Sequence, residues 1–85
     1  PEVRAKAAFA LGGFGEEAKE ATNDLIGLFK DKDERVRSAT AASIGEIGPS
    51  AKAAIQGLIG LLSDRDPEVR LNAVGSLGVF GTDVK

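Results

Sequence analysis

Apolar positions along this 85-residue chain recur at the three-to-four-residue spacing of an amphipathic helix. Val3, Ala7, Leu11 and Phe14 fall within about 80° of one another on a helical wheel, which predicts a helix over 2–14. Gly15 suits the left-handed backbone position that ends a helix. Residues 16–30 predict a second helix, with Ala18, Ala21, Leu25, Leu28 and Phe29 on its buried face. Glu16 and Glu17 stand in its first turn and Lys30 in its last, as the helix macrodipole favours. After the linker Asp31-Lys32-Asp33 a third helix is expected over 34–47. Asp33 would cap it, and Val36, Thr40, Ile44 and Ile47 form its inward stripe. Gly48-Pro49 closes that helix and opens a fourth over about 50–62, with proline in the tolerated first turn. Its inward residues are Ala51, Ala54, Ile55, Leu58, Leu61 and Leu62. Beyond the linker Ser63-Asp64-Arg65-Asp66, the pair Asp66-Pro67 joins an N-cap to a first-turn proline. It starts a fifth helix over 67–80, with Val69, Ala73, Leu77 and Phe80 inward. Gly81 to Lys85 would begin a sixth. No stretch alternates with period two for long enough to be a strand, and such short linkers make neighbouring helices antiparallel. The class expected is all-α.

The pattern also repeats. Pro1-Glu2-Val3-Arg4, Glu34-Arg35-Val36-Arg37 and Pro67-Glu68-Val69-Arg70 stand 33 residues apart, and Gly12, Gly45 and Gly78 follow each copy at one distance. Residues 1–33 and 34–66 agree at 14 of 33 positions, and 67–85 matches the first copy at 10 of 19. The matches are spaced along the repeat rather than compositional, so they reflect a structural period. The domain reading is one repeat array over 1–85, with repeats at 1–33, 34–66 and a partial one at 67–85. The chain opens inside one repeat and stops inside another, and we read it as a piece of a longer array. Five helices give about two and a half repeats. The tetratricopeptide pattern needs aromatic landmarks, and there is no Trp or Tyr; the ankyrin signature needs His, which is also absent.

Composition narrows the chemistry. With no Cys and no His, this sequence has no disulfides, thiol nucleophiles, imidazole bases or common zinc sites. Net charge is −2, from 11 basic and 13 acidic residues, a poor footprint for nucleic acid. Arg4, Lys6, Arg35, Arg37 and Arg70 are too few for a continuous basic face. No run approaches a membrane span, and no signal peptide is visible, so a cytoplasmic location is expected. No cofactor or metal is expected. Gly12-Gly13-Phe14-Gly15 and Gly45-Glu46-Ile47-Gly48 are glycine-rich, but they sit at helix ends and lack the phosphate-loop Lys-Ser/Thr. Glu16, Glu17, Glu20 and Asp24 line one side of the second helix and read as a solvated face rather than an acid–base pair. Gly27 and Gly60 recur inside the second and fourth helices and are expected to mark close backbone approach between stacked helices.

Leu58-Ile59-Gly60-Leu61-Leu62-Ser63-Asp64-Arg65-Asp66-Pro67-Glu68-Val69-Arg70 resembles the core of a HEAT repeat. Leu25 to Arg37 carries the same pattern. More narrowly, both strings look like the short bacterial and archaeal HEAT-like repeats named after phycobilisome lyases. The resemblance implies a right-handed α-solenoid of stacked antiparallel helix pairs. It also implies a structural ladder in which Arg37 and Arg70 lie near Asp31 or Asp64 of their own or an adjacent repeat. The helices at 2–14, 34–47 and 67–80 would then line the concave face.

On that face Phe9, Ala5, Lys6, Arg35, Ser38, Ala42, Leu71 and Asn72 are the candidate partner-binding residues, with Phe9 and Leu71 as apolar anchors. The expected function is a non-catalytic scaffold that binds another protein or peptide. The alternatives are part of a bilin lyase or isomerase, which the family name suggests, and a nucleic-acid-binding module. A solenoid needs polar outer faces at its terminal repeats, and both ends here keep apolar residues. The isolated chain is expected to be marginally stable or to self-associate through its ends; a stable monomer on sedimentation at high concentration would contradict this.

Overall fold

A computed structural model describes residues 3, 5, 6 and 22–81. Within them lie four α-helices: α1 (Thr22–Leu28), α2 (Glu34–Ile47), α3 (Ile55–Leu61) and α4 (Pro67–Phe80), with a 3-10 segment at Gly48–Ala54 between α2 and α3. There is no strand among the described residues. Val3, Ala5 and Lys6 are helical; the rest of the helix expected over 2–14, and the first half of the one expected over 16–30, lie outside the described residues.

The two long helices begin alike because both linkers read Asp-x-Asp. Asp33 holds an extended N-cap conformation and its Oδ1 accepts the Arg35 N–H at 2.8 Å. Asp66 accepts the N–H groups of Glu68 and Val69 at 2.9 and 3.2 Å. These contacts satisfy donors that a helix start leaves without intrahelical partners. The first aspartate of each linker holds the second: the Asp33 N–H donates to Asp31 Oδ1 at 2.9 Å, and the Asp66 N–H to Asp64 Oδ1 at 3.0 Å. Gly48 and Gly81, one period apart, end the two helices with φ of 84° and 53°, where a Cβ would be strained.

The fourth helix differs from the single run expected over 50–62. Gly48–Ala54 is 3-10, with Ala51 at φ −97°, ψ 32°, and regular α-helix begins only at Ile55. The chain kinks at Ala51, whose backbone is non-helical, and Ala51 and Ala54 are both fully buried. Leu62 also departs from expectation: α3 has ended at Leu61, and Leu62 is exposed.

One core unites these elements. Leu25 and Phe29 from the first outer segment, Ile44 and Ile47 from α2, Leu58 and Leu61 from α3, and Val69, Ala73 and Phe80 from α4 form a single buried cluster. Helix α2 packs most extensively on α4, α1 packs on α2, and α3 on α4. Close approach of α2 and α4 occurs at Gly45, where a Cβ would lie 2.6 Å from Ser76 Oγ. Gly57 receives the Phe29 ring in the same way. Gly27 and Gly60 do not mark close approach: both are exposed, and a Cβ at either meets nothing within 4 Å among the described residues. Which glycines approach a neighbour depends on how the helices are rotated, and a period-33 recurrence does not encode that. Gly75 is also exposed and open, in mid-helix. Gly75→Ala should therefore raise stability by about 0.5–1 kcal/mol, read as a higher urea midpoint at constant slope.

Candidate protein-binding face

The N-terminal halves of α2 and α4 lie side by side and leave a cleft of about 370 Å³ between them. Buried Ser38 and Ala39 from α2 and half-buried Asn72 from α4 line its interior, with half-buried Ala5 at one side. Exposed Glu34, Arg35 and Glu68 and the capping Asp66 line its mouth. The carboxylates there follow from helix-start chemistry, since Glu34 and Glu68 stand in first turns and Asp66 is the N-cap.

Hydrogen bonds fix the cleft interior. Asn72 Nδ2 donates to Ser38 Oγ at 2.6 Å and to the Ser38 carbonyl at 3.3 Å. One turn further along α4, the Ser76 hydroxyl donates to the Ala41 carbonyl. Arg35 is tied to Asp33, with Nε 3.2 Å from Oδ1 and Nη2 3.1 Å from Oδ2. That guanidinium, followed by the Arg35 backbone N–H, holds the Asp33 carboxyl down at about 2, from an ordinary 3.8.

Beneath the cleft mouth runs an arginine ladder. Arg37 reaches across one period, its Nε donating to Asp64 Oδ2 at 2.7 Å and its Nη2 to Asp64 Oδ1 at 3.1 Å. Its Nη1 donates to the Asp31 carbonyl at 2.7 Å, so one guanidinium ties two successive linkers together. The side chains are only 12% and 8% exposed, covered by each other rather than set deep in the core. Partial burial pushes the Asp64 carboxyl up, but the Arg37 fork, the Asp66 N–H and the nearby arginine charges pull harder and leave it below its ordinary value. The same pairing raises Arg37. Arg70 repeats half of the arrangement: its Nη1 donates to the Asp64 and Arg65 carbonyls at 2.7 and 3.2 Å.

Because Asp64 and Asp33 titrate lower folded than unfolded, they stabilise the fold above the unfolded carboxyl range and lose that effect as pH falls through their folded values. Stability should be flat from pH 7 to about 5 and then fall as pH approaches 2. Chemical denaturation at a series of pH values should show this fall, shallower in Asp64→Asn.

Among the candidate residues, Ala5, Arg35, Ser38 and Asn72 line the cleft. Ser38 and Asn72 bond to each other there rather than standing free. Lys6 is exposed and Ala42 half-buried, and neither lines it. Leu71 is 69% exposed on α4, at the position one period after Ser38. Phe9 lies outside the described residues. Among the described residues Glu34, Ala39, Asp66 and Glu68 also line it, none of them a candidate binding residue from sequence. A signal for the pairing of Ser76 with Ala41 did exist: Ser43 and Ser76 recur one period apart, and both are buried polar positions.

Among the described residues the cleft shows no acid–base pair, since Asp66 is engaged in capping and Glu34 and Glu68 are solvated. Among the described residues no group of three or more His, Cys, Asp or Glu side chains could hold a metal ion, and no helix is long and apolar enough to cross a membrane. Capped helix pairs bonded from one 33-residue unit to the next define a helical-repeat protein. The family model for HEAT repeats matches residues 1–78, and the chain belongs to that family. HEAT repeats generally serve as scaffolds for protein interaction and are typically non-enzymatic. The chain matches no curated protein.

Proposed function

We propose that this chain is a non-catalytic module that binds another protein or peptide in the cleft between α2 and α4. The observation that carries the reading is the cleft itself: a concavity between two inner helices with small side chains inside and charged groups at its mouth. In this reading the helix pairs stack as a right-handed superhelix, with α2 and α4 on its concave side, in a cytoplasmic setting. Glu34, Asp66 and Glu68 make the mouth unsuited to a phosphate backbone. The narrower resemblance to phycobilisome-lyase repeats rests on the two linker strings, and a bilin absorbance change on mixing would draw the reading toward that chemistry.

A photo-crosslinking residue placed at Glu68 should capture the partner in native lysate, whereas one at exposed Gln56 on α3 should not. Capture at Gln56 alone would move the binding surface to the outer helices. Failure at both, with each variant helical by circular dichroism, would reject the module reading.

A further inference from the structure

We propose that the occupant of the cleft between α2 and α4 is a cationic peptide, an extended segment whose lysine or arginine sits at the mouth against Glu34 and Glu68; this rests on the reading of the cleft as a peptide-binding site. The hydrogen-bond inventory of the cleft carries it. Its side-chain N–H donors are already spent. Arg35 is held on Asp33 through Nε and Nη2. Asn72 Nδ2 donates to Ser38 Oγ and to the Ser38 carbonyl. A carbonyl only accepts, so the Asn72 amide is fixed with its nitrogen toward α2, and its Oδ1 has no donor among the described residues. The Glu34 and Glu68 carboxylates likewise have no hydrogen-bond or ion-pair partner among the described residues. Acceptors are what the cleft has left to offer.

The interior points to a peptide independently of the charges. Ser38 is 9% exposed, and its Oγ accepts the Asn72 amide at 2.6 Å. Its hydroxyl hydrogen has no acceptor among the described residues. A covered donor left unpaired is costly, and this one stands beside an equally unused acceptor, Asn72 Oδ1. One donor next to one acceptor matches the C=O and N–H groups of an extended peptide. Ala5 and Ala39 give the same space an apolar wall.

The charges then select a cation. At the mouth Glu34, Asp66 and Glu68 face one guanidinium, that of Arg35, which Asp33 neutralises. Arg37 is paired with Asp64. Arg65 stands with Arg37 at a separate hollow on the other side of Glu34 and Asp66, and neither it nor exposed Lys6 lines the cleft. An ammonium or guanidinium meets these carboxylates without displacing an existing pair, whereas an acidic segment meets three like charges.

Fluorescence anisotropy with short labelled peptides tests this, alanine alternating with lysine, with glutamine or with glutamate. The chain should bind the lysine peptide about tenfold more tightly than the glutamine one, and should not bind the glutamate one. Glu34→Gln and Glu68→Gln should each weaken the lysine peptide about 2–5-fold, the range of one exposed ion pair, and added salt should weaken it further. Glu46→Gln removes the same charge about 18 Å further along α2 and should change binding by less than about 1.5-fold. Asn72→Ala should weaken every peptide that enters the cleft, whatever its charge. Equal binding of the lysine and glutamine peptides, both weakened by Asn72→Ala, overturns the cationic occupant and leaves the cleft reading standing. Insensitivity of the lysine peptide to Glu34→Gln and Glu68→Gln, or no binding of it, also overturns the proposal. Crosslinks at Gln56 alone would instead remove the cleft reading, and this inference with it.

Discussion

Arg37→Ala is expected to destabilise the fold by about 2–3 kcal/mol, far more than the ~0–1 kcal/mol of an exposed ion pair. Three contacts end together: the two bonds to the Asp64 carboxylate and the one to the Asp31 carbonyl. Asp64 would lose the fork that faces it and keep the Asp66 N–H as its side-chain partner. The pair lies at the edge of the fold rather than deep within it, which keeps the cost below the 3–5 kcal/mol of a fully buried pair broken on one side. Arg37→Lys should recover little, because an ammonium cannot present the planar fork that spans two linkers. Asp64→Asn should cost less than Arg37→Ala and be strongly non-additive with it, since the two side chains form one network. Urea unfolding of the two single variants and the double variant measures this directly. A loss below about 0.5 kcal/mol for Arg37→Ala would reduce the ladder to surface decoration.

Elements governed by local rules were legible before the structure. Asp33 and Asp66 announce helix starts because an N-cap acts on residues two or three positions away, and α2 and α4 run over 34–47 and 67–80 as the periodicity predicts. The fourth helix was less legible. Pro49 permits either helix type in a first turn, and the kink at Ala51 leaves no mark in the apolar spacing. Leu62 was misplaced because the wheel extrapolated beyond the real helix end. For the cleft, spacing marks which residues leave the core stripe, and Ala5, Arg35, Ser38 and Asn72 do meet. The bond between Ser38 and Asn72 joins residues 34 apart in sequence. No periodicity distinguishes such a stitch from two free polar groups, because it depends on the register of α2 against α4. The same reason hides the acidic mouth: Glu34 and Glu68 read as first-turn residues until the two helix starts are seen side by side.

That register also makes Gly45 the position where the smallest substitution should have a large effect. Gly45→Ala adds one methyl group and, as an isolated helix residue, would favour folding by about 0.5–1 kcal/mol. Here the new Cβ would lie 2.6 Å from Ser76 Oγ, 3.2 Å from Ser76 Cβ and 3.3 Å from Ser76 Cα. Rotating the hydroxyl away gives up its bond to the Ala41 carbonyl. No rotation moves the Ser76 backbone itself, so α2 and α4 must separate. Overpacking of this kind costs about 1–3 kcal/mol. It exceeds the helix-propensity gain, and net destabilisation of about 1–2 kcal/mol is expected. Ser76→Ala alone should cost about 0.5–1.5 kcal/mol for the lost hydrogen bond. Combined with Gly45→Ala it removes the closest clashing atom, so the double variant should be more stable than the two single losses predict. Additive losses in the urea midpoints would mean that the helices do not meet at this pair. Stabilisation by Gly45→Ala, as Gly75→Ala should give, would mean that the close approach of α2 and α4 is absent in solution.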